Sequence, residues 1–298
     1  MKKKRIAVLL AGAFFIVSFA ACGQAGQAQG ASGETAHDSR TEAVPSELEP
    51  AKLGAAGTGR ELGSGSGQAA DGENAPVVYM TTDISSDGLM AVYEALGASP
   101  AGNVAVKLST GEPGSNYLRT DLIGELVQSL GATIVECNTA YGGSRANTAM
   151  HYQVAEDHGY TAIADVDIMD EEGSMTLPVS GGDNLTENYV GSHFGNYDYY
   201  VVLSHFKGHA MAGYGGAIKN ISIGIASAEA HIHSGGTRGN MWSGEQDAFL
   251  ESMAEAGKSV VDALDGNILY INVMNRLSVD CDCDGNPAEP DMHDIGIL

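Results

Sequence analysis

From residue 77 onward, short apolar runs alternate with stretches whose apolar positions recur at helical spacing. Val77 to Met80 reads as a strand, and Asp87 to Gly97 as a helix with Leu89, Val92, Tyr93 and Leu96 on one face. Val104 to Leu108 is the next strand, and Leu118 to Leu130 the next helix, stopped by Gly131. Thr133 to Cys137 reads as a strand and Arg145 to His158 as a helix; two weaker runs follow, Ala162 to Val166 and Met175 to Val179. Tyr199 to Leu203 is a strong strand, followed by a glycine-rich turn and a short helix over Ala217 to Ile223. Glu245 to Leu264 reads as a long helix and Ile268 to Val273 as the last strand. Strand and helix in alternation, with continuously apolar strands, predict an α/β domain. Its sheet should be mainly parallel, with helices on both faces.

The same assignment places four polar clusters directly after predicted strands. They are Thr81 to Asp83, Ser109 to Glu112, Asn138 to Arg145, and Ser204 to His209. Ligands of open parallel sheets bind outside the carboxyl ends of the strands, so parallel strands would set all four clusters on one rim. The last cluster opens the run LSHFKGHAMAGYGGAIKN, in which Lys207 and Lys219 bracket Gly213, Gly215 and Gly216, and Asn220 follows.

Charge makes those lysines conspicuous. The chain has 15 Lys and Arg against 38 Asp and Glu, for a formal net charge of −23. Such a surface argues against nucleic acid and anionic lipid as ligands. Lys2, Lys3, Lys4 and Arg5 precede an apolar stretch from Ile6 to Phe19, and Ala20 and Ala21 stand before Cys22. That is the layout of a secretory signal, too short for a comfortable membrane span. A cysteine at that point fits a bacterial lipobox, although Phe19 departs from the usual aliphatic residue. Residues 1–22 are therefore expected to be a lipoprotein signal with Cys22 lipidated. Residues 23–75, rich in Gly, Ala, Ser, Gln and Glu, should be a disordered tether. Residues 76–298 form the folded domain, held outside the cytoplasm on the membrane by the lipid. Among the remaining cysteines, Cys281 and Cys283 are too close to pair easily with each other, whereas either could pair with Cys137.

LSHFKGHAMAGYGGAIKN, together with VAVKLSTGEPGSNYLR, CNTAYGGSR and the tail from Ile271 to Leu298, resembles the domain of unknown function 362 family. Within it, the closest pattern is the branch described as uncharacterised Fe-S center proteins. The resemblance spans nearly all of residues 77–298 and implies an α/β fold, with no established reaction. Two features depart from that branch. The ferredoxin-like insert with its cluster cysteines is missing between His233 and the long helix, so no 4Fe-4S cluster is expected. Relatives also continue past the DIGIL segment, so a C-terminally incomplete domain is expected.

Two chemistries suit the clustered residues. Lys207 and Lys219 beside glycine-rich backbone suit a phosphate or carboxylate. The resemblance, in which relatives share both lysines, favours that reading over simple pairing with carboxylates. Lys107, Asn138, Tyr141, Ser144, Arg145, Gly215, Gly216 and Asn220 are the expected supporting contacts. Arg145 at a helix start would be unfavourable without a nearby anion. His205, His209, His231, Cys281 and Cys283 are borderline or soft donors for a divalent metal of unknown identity. His205 and His209 are four residues apart, but Gly208 and the preceding strand favour a loop, where that spacing fixes nothing. Metal ligation and plain hydrogen bonding both stay open. Glu171 and Glu172 read as solvated surface. The leading expectation is a lipid-anchored protein with a small anionic ligand, with Lys207, His209 and Lys219 as catalytic candidates if it is a metal-assisted enzyme. The alternative is a non-catalytic metal- or solute-binding lipoprotein.

Overall fold

Six strands form the central sheet of the computed structural model, which describes residues 77–228, 245–279, 285, 287 and 289–298. The sheet contains β1 (Val104–Lys107), β2 (Thr133–Glu136), β3 (Val166–Ile168), β6 (Tyr199–His205), β9 (Ile268–Leu277) and β10 (Met292–Ile297), in the order β10-β9-β6-β1-β2-β3. Every pairing is parallel except β10 on β9. Two hairpins lie outside the sheet: β4 (Ser174–Pro178) with β5 (Glu187–Gly191), and β7 (Lys207–His209) with β8 (Gly213–Gly215).

Both faces of the sheet are covered, because each central strand alternates between two cores. On one face, Val104, Val106, Val201, Leu203, Leu269 and Ile271 pack against α1 (Ser86–Leu96) and α2 (Thr120–Ser129), through Leu89, Val92, Ile123 and Leu126. On the other, Ala105, Tyr200 and Val202 meet α4 (Ala217–Ser222) and α5 (Gln246–Leu264), through Ile221, Val260 and Leu264. Tyr200, Val201, Val202 and Leu203 are all fully buried. Each aliphatic side chain among them contributes about 1.5–3 kcal/mol relative to exposure, so β6 is the axis of the domain.

Several boundaries differ from the expectation, each for a local reason. Val77 to Met80 forms no strand; the adjoining Thr81 makes an isolated bridge to Ile297, and Val77 and Val78 lie exposed. The Thr81 cluster therefore does not follow a strand. The helix expected from Arg145 starts at Thr148 as α3 (Thr148–Asp157), because the Asn147 side chain accepts from Met150 N at 3.0 Å and sets the cap there. The weak run from Ala162 is a 3-10 turn (Tyr160–Ala162) leading into β3. Part of the glycine-rich turn is strand β8.

Candidate functional site

The sheet order reverses at β1. From β1 the chain moves through α2 to β2, and from β6 it moves through α4 and α5 to β9 on the other side. The crevice that such a switch point opens lies between the carboxyl ends of β1 and β6. Strand alternation brings Lys107, the last residue of β1, to that point with its side chain fully buried. Lys107 Nζ donates to Asn220 Oδ1 of α4 at 2.7 Å and to Leu108 O at 2.7 Å. The Asn220 amide returns to Lys107 O at 3.2 Å and to Ser204 Oγ at 3.0 Å, bridging β1 and β6. A β-carbon at Gly224 would stand 2.7 Å from Lys107 Nζ, so glycine there lets the chain after α4 close over the ammonium group.

On the β2 side of Lys107 stands Glu136, the last residue of that strand, buried with its carboxylate 3.3 Å from Lys107 Nζ. Thr110 donates its N–H at 2.6 Å and its hydroxyl at 2.7 Å to Glu136 Oε2. The Thr110 oxygen then accepts from His151 Nε2 at 2.8 Å. Arg145 Nη1 lies 3.5 Å from the same carboxylate, while its Nε donates to Glu112 at 3.1 Å and its Nη2 to Tyr141 OH at 3.3 Å. Burial works to raise the Glu136 pKa, but Lys107, His151 and Arg145 outweigh it and hold the carboxyl well below the usual range. Burial also opposes the charge on Arg145, and Glu136, Tyr141 and Glu112 more than restore it. The result is a buried ionic floor joining the ends of β1, β2 and α4.

Above that floor, β7 and β8 place Lys207 opposite Gly215. A β-carbon on Gly215 would contact the stems of both Lys207 and Lys219, at 3.4 and 3.8 Å, so two ammonium-bearing chains pack against one backbone position. Lys207 is itself largely buried. The hairpin is anchored on the segment just past β9: Gly208 N donates to Ser278 O at 2.6 Å, and a β-carbon at 208 would overlap the carbonyl oxygen of Val279. Gly208→Ala should therefore lower stability by about 1–3 kcal/mol, read as a fall in the urea midpoint. An unchanged midpoint would show that the hairpin does not depend on this close approach.

The other expected residues fall at separate places. Ser144 and Arg145 converge on Glu112, with Ser144 N donating to it at 2.8 Å, and Tyr141 OH accepts from Arg145. The anion that Arg145 needs is thus supplied by Glu112 and Glu136 of the protein itself, and Arg145 is not at a helix start. Asn138 is tied to Asp170 through its N–H at 2.8 Å. Of the histidines expected as metal ligands, the two among the described residues have separate partners. His205 Nε2 meets Arg276 O at 3.2 Å, whereas His209 Nδ1 accepts from Met211 N and Ala212 N, each at 3.2 Å. A neutral His209 ring then carries its proton on Nε2, the wrong tautomer for metal ligation at that nitrogen. Gly216 packs against Phe206 and Asn272, whose amide oxygen accepts from Ala217 N at 3.1 Å. Cys137 is a buried free thiol donating to Ile225 O. His231, Cys281, Cys283 and Cys22 lie outside the described residues.

Glu136, Thr110, His151 and Glu112 were not among the expected site residues. Glu136 had a signal: it is a carboxylate inside the apolar run IVEC, one residue beyond the register partner of Lys107 on the neighbouring strand. A second group stands apart at the β3 edge. Asp167, Glu171 and His193 each present a ligand atom, all within 4.8 Å of one another. Glu171 belongs to the pair expected to be plain surface.

Fold and site together define an open, mostly parallel α/β domain whose switch point is filled by an ionic network beneath a lysine-bearing hairpin. The family described as Domain of unknown function (DUF362) matches residues 104–298, and the chain belongs to it. Among solved structures, the lactate racemase apoprotein from Thermoanaerobacterium thermosaccharolyticum is similar over 66% of this chain and 50% of its own, with 15% identity and a TM-score of 0.43. This chain thus aligns with half of that protein's length. No curated protein matches the chain.

Proposed function

We propose that the domain binds a small anion, a phosphate or carboxylate, on the rim above β1 and β6. The carrying observation is the convergence of Lys207 and Lys219 on Gly215 at the carboxyl end of β6. In a chain with more than twice as many acids as bases, a paired cationic position beside a switch point is where an anion gains most. Lys107 and Arg145 both pair with the Glu136 carboxylate, so this buried network supports the rim from beneath. In an enzymatic form of this function, the two ammonium groups would stabilise charge developing on a substrate oxygen. In a non-catalytic form they would hold a solute. We place the protein outside the cytoplasm as a lipoprotein, on the strength of the basic n-region, the apolar segment and Cys22. Its acidic surface gives nucleic acid no purchase.

Thermal unfolding with inorganic phosphate, sulfate and malonate tests the site. At about one hundred times Kd, an anion should stabilise the protein by about 2.7 kcal/mol. Lys207→Ala and Lys219→Ala should each fold and lose most of that shift. Equal shifts in both variants and the parent would sink the assignment, as would no response to any of the three anions.

A further inference from the structure

We infer that the loop leaving β1 supplies a second contact to the ligand. The Ser115 hydroxyl and the Asn116 side-chain amide donate to a second carboxylate, so the ligand is a dicarboxylate. The inference rests on the anion reading of the rim and extends it to the class of ligand. Its basis is a pair of orphan donors. Ser115 Oγ and Asn116 Nδ2 are buried and meet no acceptor, although they belong to consecutive residues. Buried polar groups are nearly always paired, and a donor left unpaired destabilises the free protein until an acceptor reaches it. The two other orphan atoms among the described residues, Asn188 Oδ1 and Ser252 Oγ, belong to β5 and α5, outside the loops that follow the central strands.

Local geometry explains why nothing in the loop serves these donors. Glu112, the carboxylate closest in sequence, gives Oε1 to Arg145 at 3.1 Å and Oε2 to Ser144 N at 2.8 Å. Ser115 N is tied back to Glu112 O at 3.0 Å, which closes a turn. Gly111 holds φ at +75°, and a β-carbon there would stand 2.3 Å from Ser115 Oγ. Glycine thus lets the hydroxyl pack against the main chain, in a position set by sterics. Just beyond the pair, the Tyr117 ring stacks on His158 at 3.6 Å, and the Arg119 guanidinium lies 3.9 Å from its centroid. Donors fixed in this way lose little freedom when a ligand binds. Asn116 stays partly exposed, which gives a ligand oxygen access to the pair.

Position supports the same reading. Strand β1 pairs in parallel with β6, Lys107 opposite Val202, so the loop and the lysine hairpin leave neighbouring strands about 4.8 Å apart. Both also touch the chain beyond β9: Gly208 N donates to Ser278 O, and a β-carbon at Gly114 would stand 2.7 Å from Gly285 O. A ligand with one carboxylate at Lys207 and Lys219 therefore has the β1 loop as the adjoining wall of the crevice. A second carboxylate offers two acceptor oxygens and no proton, one oxygen for each donor.

The test is thermal unfolding of the full chain with acetate, inorganic phosphate, malonate, succinate and glutarate, each series converted to an apparent Kd. The parent should bind at least one dicarboxylate about tenfold more tightly than acetate, the gain expected from two modest hydrogen bonds. Ser115→Ala and Asn116→Ala should each lose most of that preference while their phosphate and acetate shifts match the parent's. Without ligand, Ser115→Ala should unfold at the parent's temperature or higher, because it deletes an orphan group and breaks no bond. That sign separates the inference from a buried water bridging the two side chains. With such a water, Ser115→Ala would lower the midpoint and keep the dicarboxylate preference, and the inference would fall. It would fall equally if the parent showed no preference for any dicarboxylate over acetate. In either case a phosphate response that depends on Lys207 and Lys219 would leave the anion site standing without its second contact. No response to any of the five anions would remove both.

Discussion

Glu136→Gln should cost about 3–5 kcal/mol of stability, among the largest single-residue effects in the domain. Glutamine keeps the volume, so the loss reports charge rather than a cavity. Without the carboxylate, Lys107 Nζ is left buried beside Leu108 O and Asn220, and Arg145 keeps only Glu112 as a full counter-charge. Thr110 N and its hydroxyl, which both donate to Glu136 Oε2, lose a charged acceptor at the same time. The pH dependence has a definite sign. A carboxyl whose folded pKa lies well below its ordinary value of 4.5 contributes stability above that value and loses it as pH falls through the folded pKa. The parent should therefore lose urea resistance steadily as the medium is acidified below about pH 4.5, and Glu136→Gln should lose less over the same interval. Parallel acid limbs for the two proteins would show that the network does not carry this linkage.

That ionic floor was half legible in the sequence, and the reason is physical. Lys107 was visible because a lysine closing the apolar run Val104 to Val106 must arrive at the end of a buried strand. Its partner was equally visible in principle, as Glu136 closes the next strand in the same way, but which strands adjoin is a property of topology that periodicity does not encode. Arg145 was read as needing an anion because it was placed at a helix start, a position it does not occupy. The anion itself lay 9 and 33 residues upstream, in Glu136 and Glu112, a separation that only folding closes. The parallel sheet with helices on both faces was legible because its strands are short and apolar throughout. Strand β10 was not: MHDIGI has no long apolar run, and its pairing rests on main-chain bonds to β9. The β3-edge histidine was missed for a further reason. His193 sits in a 3-10 turn, where no repeat spacing relates it to Asp167 on a strand.

Lys107→Met should cost about 3 kcal/mol, near the low end of the range for breaking a buried pair, because Arg145 stays 3.5 Å from the Glu136 carboxylate. The more informative measurement is the double variant Lys107→Met/Glu136→Gln. If the two side chains act as one unit, the double substitution should cost less than the sum of the singles by about 1–3 kcal/mol. Strict additivity would mean that each residue answers to other partners and that the 3.3 Å contact is incidental. The substitution should also reach the rim. Lys107 holds Asn220, Asn220 spans Lys107 O and Ser204, and its neighbour on α4 is Lys219. Removing the ammonium group takes the donor from Asn220 Oδ1, so α4 stays tied to β1 only through the Asn220 amide bond to Lys107 O. Lys107→Met should therefore weaken the stabilisation by phosphate or malonate even though Lys207 and Lys219 are intact. The same loss should appear in Asn220→Ala, which leaves the Lys107–Glu136 pair in place. An undiminished anion response in both variants would separate the ionic floor from the binding rim and confine its role to stability.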